Sequence, residues 1–189
     1  MNKSSEYLVW IDLEMTGLNP ETDRILEIAT IITDNELNIV AEGPNLAIHQ
    51  TEETLALMDD WNQKQHGSSG LLQQVRNSTE NDASAEEKTL EFISKYCTPK
   101  MSPLCGNSIW QDKRFLQKYM PKLCDYLHYR LIDVSTLKEL SSRWYPNTPS
   151  FPKAEAHTAL ADIRESVAEL VYLRQVFFKS SETQTLPGA

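Results

Sequence analysis

Residues 9–18, Val-Trp-Ile-Asp-Leu-Glu-Met-Thr-Gly-Leu, constrain the fold more than any other stretch of the chain. Val9, Ile11, Leu13 and Met15 alternate with Trp10, Asp12 and Glu14, and Thr16-Gly17 ends the run, which predicts a β-strand. Side chains two apart on a strand share a face, so Asp12 and Glu14 are predicted neighbours. Adjacent carboxylates repel each other, and a divalent cation between them is one way to remove the repulsion. An amphipathic strand with a wet polar face gives the same pattern. The pair therefore decides nothing until the rest of the chain is taken into account.

Ile25 to Thr33 is β-branched and apolar, as a central strand is, and residues 34–36 turn it into a third strand around 39–48, interrupted by Gly43-Pro44. Such short connections favour antiparallel pairing. Thr51, followed by Glu52 and Glu53, predicts a helix start, with Leu55, Met58 and Trp61 as its apolar stripe. Leu71, Leu72 and Val75 mark a short helix in an otherwise polar stretch. Ser84-x-x-Glu87 predicts a capping box that opens a helix to about Tyr96, with Leu90 and Ile93 facing inward.

A short strand at 104–109 leads to a helix carrying Asp112, Phe115, Leu116 and Tyr119. Leu131 to Val134 predicts a further strand, and Ser135 the cap of a helix ending near Trp144. Residues 146–156 form a proline-rich loop that delivers His157 to the start of a long helix with Leu160, Ile163, Val167, Leu170 and Val171 at helical spacing. The expected architecture is α/β: one domain over residues 1–178, a mixed sheet whose first three strands are antiparallel, helices flanking it, and a flexible tail over 179–189.

Charge narrows the partners. The net charge is −9, whereas a protein that grips long nucleic acid carries a basic stripe for its phosphates. A nucleic-acid ligand of this chain should be short, held by local contacts and metal ions. No uncharged apolar run has the length of a membrane span, and no apolar signal core precedes the first strand, so the expected address is cytoplasmic, without membrane contact. Cys97, Cys105 and Cys124 are widely spaced and form no Cys-x-x-Cys pair, which points to reduced packing residues.

Four acids stand at comparable places: Asp12 and Glu14 on the first strand, Asp112 opening a helix, Asp162 in the first turns of the last helix, with His157 five residues ahead of it. Taken singly, Asp112 and Asp162 could be acids favoured by a helix N-terminus, and His157 a solvated loop residue. Taken together, Asp12-x-Glu14, Asp112 and His157-x-x-x-x-Asp162 resemble the three motifs of the DEDDh exonuclease family, which has a ribonuclease-H-like fold. The resemblance spans about residues 6–178. It is strengthened by the texts Trp10 to Leu18, Gly106-Asn107-Ser108-Ile109-Trp110-Gln111-Asp112 and Tyr129 to Thr136, which are similar to the branch of the family that degrades very short RNA.

That resemblance implies a 3′-to-5′ exoribonuclease that releases 5′-mononucleotides and prefers dinucleotides, completing RNA degradation. It implies two divalent ions, Mg²⁺ or Mn²⁺, on Asp12, Glu14, Asp112 and Asp162, with His157 as general base toward the attacking water. It also implies a homodimer whose Tyr129 and Arg130 reach the partner's site. Leu18 would wedge between two bases, Trp61 would stack on one, and Ser108, Ser135 and His66 would meet the 5′ phosphate. Trimming of longer RNA or DNA 3′ ends, or a catalytically silent RNA-binding protein on the same fold, are the rival readings. The low charge counts against the first and the complete acid set against the second.

Overall fold

β1 (Tyr7–Met15) is the strand on which the sheet is built. The computed structural model of the chain describes residues 7–152 and 158–178. β2 (Ile25–Asp34) and β3 (Ile39–Ala47) follow β1 as an antiparallel meander, while β4 (Pro103–Gly106) and β5 (His128–Asp133) add in parallel on its other side, giving the order β3-β2-β1-β4-β5. The antiparallel first three strands thus match the sequence expectation. β3 runs through Gly43-Pro44 rather than stopping there, with register shifts against β2. It is an edge strand, where the missing proline N–H costs no ladder bond. Gly43 lies so close to Phe92 that a Cβ would sit 2.5 Å from its ring.

Helices cover both faces of the sheet. Val9, Ile11 and Leu13 point to one side, against Ile93 of α4 (Asp82–Ser94), Phe115 and Leu116 of α5 (Ile109–Tyr119) and Leu123 of α6 (Pro121–Tyr126). Leu8 and Trp10 point to the other, against Val134 of α7 (Val134–Trp144) and Ile163, Val167 and Leu173 of α8 (Ala159–Phe177). Trp10 is fully buried, and its indole N–H donates to Thr33 Oγ1 at 3.0 Å. Burial of each large apolar side chain contributes about 1.5–3 kcal/mol, so β1 is anchored from both sides. A third cluster joins Leu26 to residues of α1 (Glu52–Leu55) and α3 (Leu71–Asn77), with Met58 between them.

Several local expectations shift. The helix expected from Thr51 through Trp61 is two helices, because Asp59 caps a new one, α2 (Asp60–Ser68), through Asn62 N; Trp61 then points to solvent, not into an apolar stripe. The capping box lies three residues earlier than expected, with Asn81 as cap and Ser84 as its reciprocal partner. Asp133, not Ser135, caps α7, its carboxylate accepting from Ser135 N at 3.0 Å. α6 had no counterpart in the sequence reading; Pro121 starts it at a position where proline costs no hydrogen bond. Among the described residues no helix is long and apolar enough to cross a membrane. The expected tail at 179–189 lies outside the described residues.

Candidate active site

The pleat that sends Val9, Ile11 and Leu13 to one core sends Asp12 and Glu14 to the opposite face, the one α8 covers. α8 packs there through Ile163 and Val167, which brings the neighbouring Asp162 over the strand. Each of Asp12, Glu14 and Asp162 offers a carboxylate oxygen, and these oxygens lie within 4.8 Å of one another. All three side chains are half-buried, so the cluster opens to solvent on one side. The wet-face alternative for the strand does not hold, since both faces are covered.

Asp112 enters from the first turn of α5 and is 6% exposed; its Oδ1 accepts from Leu13 N at 3.0 Å, which ties α5 to β1 between the two strand acids. The crowding has an electrostatic cost. Loss of solvent, then repulsion from Asp162, Glu27 and Asp112, pushes Glu14 up to about 8. Burial, opposed by the Leu13 hydrogen bond, puts Asp112 at about 7. Asp12 is raised well above its ordinary value by burial and then by Asp112, Glu14, Asp162 and Glu27. Hard, anionic oxygen donors converging at one opening are the donor set that suits Mg²⁺ or Mn²⁺, and the residues present fit such ions.

Two further groups belong to this site. Glu27, 4% exposed, stands directly across from Glu14 in the β1–β2 register, and burial raises its pKa. Its Oε2 accepts from Ala159 N at 3.2 Å. Thr158, the N-cap of α8, makes no side-chain cap bond, so an acid from the sheet caps the helix that carries Asp162. Glu27 escaped the sequence reading because its partner lies 132 residues away; only the strand register could have set it opposite Glu14. His66, expected at the substrate phosphate, is 3% exposed, with Nε2 donating to Met15 O at 3.0 Å and Nδ1 3.9 Å from Glu14. Burial lowers its pKa. His157 lies outside the described residues.

The remaining candidate contacts are placed as follows. Leu18 and Trp61 are both 69% exposed, and the Leu18 carbonyl is pinned by Gln111 Nε2 at 2.6 Å. The loop that carries Leu18 turns tightly on Asp23, which accepts from Asn19 N at 2.8 Å and leaves no room for a Cβ at Gly17. Ser108 and Ser135 meet, Oγ to Oγ, at 3.1 Å. Tyr129 and Arg130 lie on β5, at the sheet edge, with the Arg130 guanidinium 5.4 Å from the Tyr129 ring centroid.

The comparisons with known proteins agree with this geometry. The family model described as "Exonuclease" (RNase_T) matches residues 9–170, which include both strand acids, Asp112 and Asp162. The oligoribonuclease of Shewanella loihica is 60% identical over 173 residues, 91% of this chain and 96% of that protein. That of Pseudomonas syringae is 58% identical over 177 residues, 94% of this chain and 99% of the relative. Among solved structures, E. coli exonuclease I in complex with an oligonucleotide superposes with TM-score 0.72 at 16% identity, over 92% of this chain but 42% of that one. Exonuclease I of Methylocaldum szegediense gives 0.69 at 20%, over 90% of this chain and 41% of its own. This chain thus spans about two-fifths of those larger chains, and the match shows a shared fold. By the family model and the full-length relatives, the chain belongs to the exonuclease family and, within it, to the oligoribonucleases.

Proposed function

We propose that this protein is a 3′-to-5′ exoribonuclease that hydrolyses very short RNA, dinucleotides best, to 5′-mononucleotides and so completes RNA degradation. The observation that carries the reading is the convergence of Asp12, Glu14 and Asp162 from β1 and α8 in a chain so similar to oligoribonucleases. Asp12, Glu14, Asp112 and Asp162 would hold two divalent ions, Mg²⁺ or Mn²⁺. Such ions, when bound, help to generate a hydroxide-like nucleophile and neutralise charge on the reacting phosphate. His157 takes the proton of the attacking water at its imidazole nitrogen.

The exposed side chains orient the substrate. Leu18 wedges between the two bases and Trp61 stacks on one. Ser108 and Ser135 line the 5′-phosphate subsite, and buried His66, bonded to the Met15 carbonyl, backs Glu14 in the acid cluster. A homodimer completes the enclosure: β5 offers an unpaired sheet edge among the described residues, and the 71% exposed Tyr129, with Arg130, reaches the partner's site. Three free thiols suit a reducing, cytoplasmic compartment.

A length series tests the reading. RNA labelled at the 5′ end, from dinucleotide to heptamer, is turned over with Mg²⁺ or Mn²⁺. Turnover that peaks sharply at the dinucleotide supports the enclosure. Equal or rising turnover with length retains an exonuclease but removes the enclosure, and no cleavage at any length refutes the activity.

A further inference from the structure

We propose that Asn107 is the positioning residue of the 5′-phosphate subsite, fixing Ser135 and through it Ser108, and that α8 thereby sets the span between that subsite and the acid cluster. The inference rests on the reading that Ser108 and Ser135 line the 5′-phosphate subsite, with Ser108 as the donor to the phosphate and Ser135 holding Ser108.

Ser108 is held in the left-handed region, at φ 48° and ψ 33°, although it is not glycine. Such a conformation persists only where the surroundings impose it. Here its N–H donates to both Asp133 Oδ1 and Ser135 Oγ, each at 2.9 Å. The Ser135 hydroxyl in turn donates to Asn107 Oδ1 at 3.1 Å. The amide orientation of Asn107 is not free to reverse. Its Nδ2 donates to Glu169 Oε2 at 3.0 Å and to Ser166 Oγ at 2.8 Å, and an ionised carboxylate can only accept.

Glu169 is 4% exposed and is neutralised by Lys138 of α7, 3.2 Å away, whose ammonium also points to Asn107 Oδ1 at 3.5 Å. A paired, almost buried carboxylate is a rigid anchor, because releasing it would leave an uncompensated charge. The proton count then separates the two serines. Ser135 has spent its only proton on Asn107. In the Ser108–Ser135 contact Ser108 is therefore the donor, and its hydroxyl can turn to a phosphate oxygen without disturbing the anchor.

The anchor and the acid cluster share one element. Asp162, Ser166 and Glu169 all belong to α8, four and three residues apart, so one helix carries an acid of the cluster and the support of the phosphate subsite. The distance between them is that of a rigid helix. A substrate with a 5′ phosphate at another distance cannot satisfy both.

The test compares kcat/KM for a dinucleotide bearing a 5′ phosphate with that for the same dinucleotide bearing a 5′ hydroxyl, in the unsubstituted protein and in Asn107→Ala and Ser166→Ala. Thermal midpoints are measured alongside. The native protein is expected to favour the phosphorylated substrate. Asn107→Ala is expected to lower that preference about tenfold, through KM of the phosphorylated substrate, and Ser166→Ala to lower it less. A merely structural role lowers both substrates alike and leaves the ratio unchanged. If the native ratio is near one, the phosphate-subsite reading itself falls. If the native ratio is large and persists in folded Asn107→Ala, or in Ser166→Ala should the first variant not fold, the role of Asn107 is overturned while the subsite stands.

Discussion

Asp12 is the residue at which stability and chemistry pull in opposite directions. A carboxylate raised so far by burial and by four neighbouring acids is costly to keep in the metal-free fold. Asp12→Asn is therefore expected to raise the thermal midpoint of the metal-free protein while lowering turnover at least about a hundredfold, measured by calorimetry and by dinucleotide hydrolysis. Glu27 behaves differently, since its Oε2 caps α8. Glu27→Gln retains an acceptor oxygen, so it is expected to be more stable to urea than Glu27→Ala by about 1 kcal/mol, the usual worth of an N-cap. Equal midpoints for the two variants would remove Glu27 as the cap.

At the scale of elements, the two covered faces of β1 make distinct demands. Ile163 packs the α8 side beside Asp162, and Leu123 the opposite side; both are almost wholly buried. Truncation of either to alanine is expected to cost about 2–5 kcal/mol. Assayed well below the melting transition, Ile163→Ala should lose the larger share of turnover, because it loosens the helix that presents an acid. Equal losses in turnover would show that α8 packing does not govern the site. These elements were legible in the chain for physical reasons: β1 by strict alternation, β2 by its β-branched run, α8 by a long apolar stripe. The break between α1 and α2 was not. Trp61 has the spacing of a core residue, and periodicity cannot tell an aromatic held out to solvent from one turned inward. Asn81 and Ser84 are both good caps three residues apart, so sequence could name the box but not its start. Glu27 is the harder case, since its role depends on a strand register and on a helix far along the chain.

For the whole molecule the crowded acids impose a pH dependence with a definite sign. Glu14 titrates at about 8 in the fold against an ordinary 4.5 in the unfolded chain, and Asp112 at about 7 against 3.8. A group whose folded pKa is raised contributes its stability fully below the unfolded value and loses it as pH rises through the folded one. The metal-free protein is thus expected to lose thermal stability steadily from about pH 4 to about pH 8, with the slope reduced by saturating Mg²⁺ or Mn²⁺; a flat profile without metal would contradict the crowding. The sheet register has a further consequence. Because Glu14 faces Glu27 across the strands while Asp12 and Asp162 close in beside it, a dication entering the proposed site would have to displace protons, as on an ion exchanger. Near neutral pH the heat of loading should therefore scale with the ionisation enthalpy of the buffer, and an unbuffered solution should turn acidic as the metal enters.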